Sequence, residues 1–302
     1  MRLEIALKGP VSEPIDFWRT IVSHGVASLP PAAVDEDARV LTTTLPVRGA
    51  KPRTVQIRQG RKGEARVDVL GPPLGTRSRA GLEASVRTVL NLRENLSPLY
   101  EVAAADPELR WITCGAGRMA RGATVFEDVV KTICTTNCTW SATQRMVGAL
   151  VESLGEPSAG GHGRAFPTPE AMAAAREPFY RDVVRAGYRG PYLRALAASV
   201  ADGSLDLEAL VLASAEELPD DELEKLLLAL PGVGPYAAAH IMMLIGRHSR
   251  LILDSWTRPK YASLNGGRKA SDRTIERRFR RYGPYAGLAF WLYLTRDWVE
   301  ES

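Results

Sequence analysis

Leu223-Glu224-Lys225-Leu226-Leu227-Leu228-Ala229-Leu230 runs into Pro231-Gly232-Val233-Gly234-Pro235-Tyr236-Ala237-Ala238, and the reading of this stretch decides the fold. Its leucines recur at helical spacing until Pro231, which lacks the N–H needed to continue the helix. Gly232 and Gly234 permit positive φ and so a very tight reversal. Pro235 then falls in the first turn of a second helix, where a missing N–H is no loss. Such a turn points unbonded amides outward at a helix N-terminus, a nest suited to an anion, and a DNA phosphate fits it. Pro231, Gly232, Val233 and Gly234 are therefore candidate DNA-binding residues, small enough to let the phosphate come close. The plainer reading is an ordinary helix–glycine–helix corner.

Downstream, the strand-like run Leu251-Ile252-Leu253 ends in Asp254, eighteen residues beyond Tyr236, followed by Ser255-Trp256-Thr257-Arg258. An aspartate there is a good N-cap, and a helix N-terminus favours a carboxylate beside it. Upstream, almost everything periodic from about Asp106-Pro107 is helical. Thr124-Val125-Phe126-Glu127 has capping-box spacing, with Val125, Phe126, Val129, Val130 and Ile133 as the buried stripe. Thr135-Thr136-Asn137-Cys138 interrupts that helix with four residues that hydrogen-bond locally. Ser141 is expected to start the next helix, Ser158 to Gly163 to be loop, and Thr168-Pro169 to open another helix. Further helices are expected over 180–200, 207–213, 220–230 and 235–245, from about 255 and 271, and through 289–294.

The first hundred residues differ. Strands are expected over 1–7, 40–47, 53–59 and 64–70. Val55 and Ile57 alternate with Gln56 and Arg58, and Val67 and Val69 with Arg66 and Asp68, around a Gly60–Gly63 turn. Leu82, Val86, Val89 and Leu90 mark a helix packed on this sheet. The fold class is α+β, mainly α: an antiparallel β domain with flanking helices over 1–110, then a helical region over 111–302.

Composition bounds the rest. With 302 residues, 45% hydrophobic and 25% charged, the chain is long enough for two ordinary domains of a soluble protein. No apolar run approaches a membrane span, and the N-terminus is not a secretory signal. Cys114, Cys134 and Cys138 cannot all pair, so a reducing intracellular setting, most simply cytoplasm, is expected. Net charge is only +4, which turns attention to the arginine-rich run Arg273 to Arg281, anchored by Phe279. Beside a phosphate-binding turn such a run can follow a duplex backbone.

The hairpin with Asp254 resembles the helix-hairpin-helix (HhH-GPD) DNA glycosylase superfamily, which includes endonuclease III and the 8-oxoguanine and 3-methyladenine glycosylases. The resemblance is strong over 120–300, and the N-terminal β domain looks like the one carried by the alkylation-repair and 8-oxoguanine branches. It implies a cleft between two helical subdomains, double-stranded DNA containing a damaged base as partner, a monomer without membrane association, and a nucleoid-associated cytoplasmic setting. Asp254 matches the family's catalytic aspartate, which stabilises positive charge on the sugar as the base leaves. Bifunctional members carry an imine-forming lysine early in the second hairpin helix; the matching residue is Tyr236, which cannot form an imine. Lys260 is read as a phosphate contact or a solvated side chain. The chain has no cysteine after Cys138, so the family's iron–sulfur cluster is not expected, and Cys134 with Cys138, read as small buried hydrophobes, makes a poor zinc site. No metal or cofactor is expected, apart from a monovalent cation that relatives hold on their hairpin carbonyls.

Ile133 to Asn137 resembles the segment of 8-oxoguanine enzymes whose asparagine fills the hole left by the extruded base, which assigns that role to Asn137. Adenine glycosylases carry a glutamate where this chain reads Val130-Lys131-Thr132. Tyr282 to Gly287 resembles the C-terminal pocket segment, so Tyr285 joins Tyr236 and His240, one turn apart, as expected base-pocket residues. The base-reading glutamine of 8-oxoguanine enzymes falls on Phe290, which cannot read a base edge; Phe290 and Trp291 are read as core. The resemblance thus implies a monofunctional base-excision glycosylase acting on an electron-poor alkylated purine held by aromatic walls. The alternatives are an oxidised-purine glycosylase and a non-catalytic hairpin DNA-binding protein. Asp254 speaks against the last, because phosphate binding needs no carboxylate.

Overall fold

The computed structural model describes residues 1–299. Strands β1 (Arg2–Ala6), β2 (Ala33–Asp35), β3 (Val40–Val47), β4 (Ala50–Gln59) and β5 (Glu64–Val69) form one antiparallel sheet in the order β1-β5-β4-β3-β2. Alternation sets its faces: Val55 pairs with Val69 and Ile57 with Val67, and all four are buried. Asp68 on the other face gathers Arg2, Arg58 and Arg66 at 2.9–3.0 Å. The glycines at 60 and 63 make the β4–β5 turn as expected, Gly63 at φ 78°. Helix α1 (Phe17–Ile21) precedes β2, and α2 (Thr76–Val89) covers the sheet with Leu82, Val86 and Val89. The sequence reading missed α1 and β2, both too short to show a period.

The remaining helices are α3 (Ser97–Ala104), α4 (Val125–Thr135), α5 (Trp140–Leu154), α6 (Pro169–Ala174), α7 (Arg189–Ala201), α8 (Ala209–Leu212), α9 (Asp220–Leu228), α10 (Pro235–Leu244), α11 (Thr257–Leu264), α12 (Asp272–Phe279) and α13 (Ala286–Thr295). Thr124 caps α4 by accepting from the Glu127 N–H at 3.1 Å, and the Glu127 carboxylate accepts from Ala123 N–H at 3.0 Å. Helix α5 starts earlier than expected, because Thr139 rather than Ser141 is its cap, accepting from Ala142 N–H at 3.3 Å. The single helix expected over 180–200 is broken: one wide turn (Phe179–Val183) and Gly187 at φ 57° precede α7.

Three hydrophobic cores result. One lies under the sheet and ends at Leu92. The second joins α4, α5, α7 and α9, and the third joins α3, α12 and α13. Helix α3, which the sequence reading did not single out, packs among the C-terminal helices. Helix α10 serves both helical cores: Ala237, Ala238, Ile241 and Met242 face the second, Ala239, Met243 and Leu244 the third. A helix apolar on every side is a central one. No helix among the described residues is long and apolar enough to cross a membrane.

Candidate active site

The α9–α10 turn is built as its residues require. Gly232 stands at φ 80°, and a Cβ there would come within 3.0 Å of the Tyr192 ring. Both backbone freedom and lack of a side chain are therefore needed at this position. Val233 is committed to the turn: its side chain is buried in the second core and its N–H donates to the Leu230 carbonyl at 3.2 Å. The N–H groups of Gly232, Gly234, Tyr236 and Ala237 have no backbone acceptor among the described residues. They form the nest at the start of α10.

This turn borders a cleft of about 1370 Å³ that also takes in the end of α4, the start of α11 and the loop around His24. Gly232, Val233, Gly234, Tyr236, His240, Asn137 and Asp254 all line it; Pro231 does not. Asp254 sits just before α11, and its Oδ1 accepts from the N–H groups of Trp256 (2.8 Å) and Thr257 (2.7 Å). Its own N–H donates to Thr257 Oγ1 at 2.8 Å, and Thr257 is fully buried. One carboxylate oxygen thus fixes the side chain, while Oδ2 has no protein partner among the described residues. Among the described residues Asp254 is the one carboxylate lining the cleft, and no lysine or arginine lines it. Lys260 is directed elsewhere, its Nζ 2.6 Å from Asp297.

The cleft floor is aromatic. Tyr236 shares a hydrogen bond with Thr135 Oγ1 at 3.2 Å, and burial, with Asp254 nearby, pushes its phenol above the usual range. Its ring lies 6.0 Å from His240, which meets His24 edge-on at 5.6 Å. His24 Nε2 bonds the Ala120 carbonyl at 2.7 Å, and both histidines keep a buried Nδ1 without a partner. Burial holds His24 down to about 4, assisted by the Lys131 ammonium, and holds His240 down to about 3, assisted by His24. Both rings are neutral at physiological pH. Opposite them, Trp256, Trp291 and Trp298 form a mutually packed trio with ring centres 5.6–5.8 Å apart.

At the rim, Asn137 is exposed at φ 46°, and its Nδ2 donates to Tyr188 Oη at 3.3 Å. Arg189 pins that loop to α7 by donating to the Thr136 carbonyl and to Thr136 Oγ1, while its guanidinium lies 4.5 Å from the Tyr188 ring. Among the described residues, six of the twelve large hydrophobic side chains left exposed line this one cleft: Trp140, Tyr188, Tyr192, Leu228, Trp256 and Trp298. Such a concentration marks a binding surface.

Known structures share this architecture end to end. A 3-methyladenine DNA glycosylase from Archaeoglobus fulgidus superposes with a TM-score of 0.71 at 19% identity, covering 100% of both chains. The fold is that of the helix-hairpin-helix DNA glycosylases. A Clostridium acetobutylicum 8-oxoguanine glycosylase/lyase, in complex with double-stranded DNA containing cytosine opposite 8-oxoguanine, gives 0.69 at 18% identity over 94% of this chain and 92% of that one. Among curated proteins, a probable bifunctional transcriptional activator/DNA repair enzyme AlkA of Mycobacterium tuberculosis is 32% identical over 165 residues, 53% of this chain and 31% of that protein. A probable N-glycosylase/DNA lyase of Methanothermobacter thermautotrophicus is 26% identical over 183 residues, 53% of this chain and 57% of that one. The chain thus spans less than two thirds of the length of the curated relatives it matches. No protein-family model matches the sequence.

On this glycosylase fold three sequence assignments change. Tyr285 does not line the cleft: its ring stacks on His248 at 6.1 Å and its hydroxyl is directed at the Asn95 carbonyl, 3.5 Å away. Trp291, read as core, is buried yet lines the cleft, donating from Nε1 to the Ser23 carbonyl at 2.8 Å; Phe290 is core as expected. Cys134 is buried, whereas Cys138 lines the cleft with its Sγ 3.2 Å from the Cys134 carbonyl. In the arginine run Phe279 is the buried anchor, and two arginines serve the fold: Arg278 is 2.7 Å from Glu108, and Arg281 pairs with Asp106. Sequence reasoning missed His24, Trp140, Tyr188, Tyr192, Trp256 and Trp298. Only Gly187-Tyr188-Arg189-Gly190-Pro191-Tyr192 carried a signal, an aromatic pair among helix breakers.

Proposed function

We propose that the protein is a monofunctional DNA glycosylase that removes an extruded alkylated purine and leaves an abasic site. The observation that carries this reading is Asp254, fixed by one oxygen and, among the described residues, with the other unpaired and no amine in the cleft it shares with the hairpin amides. The amides of Gly232, Gly234, Tyr236 and Ala237 hold a backbone phosphate, and Asn137 with Tyr188 enters the stack where the base has left. The tryptophan trio with Tyr236 walls the base, stacking on it and attracting its positive charge. As the C1′–N bond breaks, its electron pair goes to the departing base and the sugar becomes cationic. Asp254 stabilises that cation and orients the water that adds to C1′, the water proton passing to the carboxylate or to solvent. Among the described residues no lysine lines the cleft, so no imine forms with the sugar. The names of the curated relatives, a DNA repair enzyme and a glycosylase/lyase, are consistent with this class.

The test is excision from duplexes carrying single lesions (methylated purines, 8-oxoguanine, uracil), analysed with and without alkali, for the wild type and Asp254→Asn. Breaks at methylated purines only after alkali are expected. The variant should lose about 10²–10³-fold in rate while its stability changes by about 1 kcal/mol, the scale of a cap. Breaks without alkali together with a borohydride-trapped adduct would overturn the monofunctional assignment. Tight DNA binding without excision of any lesion would leave a binding protein.

A further inference from the structure

A second cavity of about 310 Å³ adjoins the cleft, between α1, the His24–Gly25 turn and β2. The partition between them is thin, since His24, Gly25 and Trp298 border both spaces. His24 is fixed by its bond to Ala120. Gly25 has no side chain to close the gap, and a Cβ there would lie 3.2 Å from the Trp140 ring. The remaining member, Trp298, is 40% exposed. It is carried on a C-terminal segment tied down at its edges, by Asp297 to Lys260 (2.6 Å) and by the Val299 carbonyl to Arg19 (3.1 Å). Beyond the partition the walls are Trp18, Val22 and Val34, with exposed Ser28 and Glu36 at the far side. The volume is about ten times the ~30 Å³ that one water occupies in the liquid, far more than a methyl group needs. The side formed by Trp18, Ile21, Val22 and Val34 is apolar and suits an uncharged hydrocarbon arm.

We propose that this chamber receives the substituent of a purine alkylated by a group much larger than methyl, such as an aralkyl arm, while the base itself lies in the main cleft. The proposal rests on the glycosylase reading and extends it to the size of the adduct. The arm turns past Trp298, whose indole stacks on it.

The experiment compares single-turnover excision from duplexes carrying N7-methylguanine or N7-benzylguanine. A second arm titrates free 7-methylguanine and 7-benzylguanine by tryptophan fluorescence. Val34→Trp and Ser28→Trp fill the chamber from walls outside the main cleft. In the wild type the benzyl adduct should be released within tenfold of the methyl one. Each variant should cut the benzyl rate at least tenfold and leave the methyl rate unchanged. Free 7-benzylguanine should bind at least tenfold tighter than 7-methylguanine, an advantage lost in Val34→Trp. Release of the methyl adduct with benzyl more than a hundredfold slower, or a ratio that neither variant moves, overturns the chamber and leaves the glycosylase reading standing. If neither duplex is processed the glycosylase reading fails, and the free-base titration decides the chamber: equal affinities in wild type and Val34→Trp overturn it.

Discussion

His24 and His240 make the stability of this protein acid-sensitive, and the size of the effect follows from their surroundings. Each is about 95% buried, and each leaves Nδ1 without a partner among the described residues. Lys131 beside His24 is a cation, neutralised by Glu127 at 2.6 Å, and Tyr236 beside His240 is an un-ionised phenol. Their folded-state values of about 4 and about 3 lie below the ordinary 6.5 of the unfolded chain. The stability they contribute is therefore fully present above pH 6.5 and is lost as pH falls toward 4 and 3. At pH 5 each unfolded histidine has gained a proton that the folded one refuses, a loss of about 2 kcal/mol per ring. Asp128 works in the opposite direction. Burial, with Glu127 adjacent, pushes it up to about 6, so its contribution favours the fold at low pH and fades as pH rises through 6. Between pH 7 and pH 5 it returns about 1 kcal/mol, leaving a net loss of about 3 kcal/mol. Urea denaturation at pH 8, 7, 6 and 5 measures this. His24→Phe and His240→Phe should each remove about 2 kcal/mol of the pH-dependent loss, whatever constant offset the lost ring nitrogens introduce. A double variant as acid-sensitive as the wild type would refute the claim that the fold holds these rings neutral.

Gly232→Ala forces a side chain to φ 80° against the Tyr192 ring, so the turn should distort and affinity for an abasic-site duplex should fall about tenfold; anisotropy titration checks this, and unchanged affinity would remove the amide nest from the interface. Thr257→Val keeps the shape but deletes the acceptor of the Asp254 N–H, which should cost about 1 kcal/mol in urea melts and slow excision by loosening the carboxylate. Arg278→Gln breaks contacts to Glu108, Asn265 and the Tyr293 ring and should destabilise by about 2–3 kcal/mol. Arg277→Gln, at a side chain without a partner among the described residues, should leave stability unchanged and lower the salt dependence of DNA binding by about one unit of slope; equal melts for the two variants would contradict this division.

What was legible in the sequence is what local chemistry dictates. Gly232 had to be glycine for its backbone, Thr124 and Thr168 had to cap, and Asp254 announced a helix start whatever else it does. What was not legible depends on partners far along the chain. Tyr285 has the residue type for a base pocket, but His248 and Asn95 take its ring and hydroxyl. Arg278 and Arg281 read as a free basic run until Glu108 and Asp106, about 170 residues earlier, arrive beside them. The aromatic wall is the extreme case. Trp256 follows Asp254, Trp291 comes from α13 and Trp298 from the segment after it, and His24 lines the same cleft from the N-terminal domain. No single window of sequence contains that surface.

Helix α10 explains why these pieces meet where they do. It is apolar apart from His240 and shared by two cores, so only its first turn and His240, one turn on, are left facing the cleft. That turn carries the free amides and Tyr236. Asp254 must lie next to it, because the chain leaving α10 turns at Gly246 and runs back through Leu251 to Leu253 along the third core before α11 begins. The nest and the carboxylate are thus brought together by burial of the helix between them. A substitution that moves α10, such as a larger residue at fully buried Ala237 or Ala238, should impair phosphate binding and bond cleavage together. Asp254→Asn should impair cleavage alone.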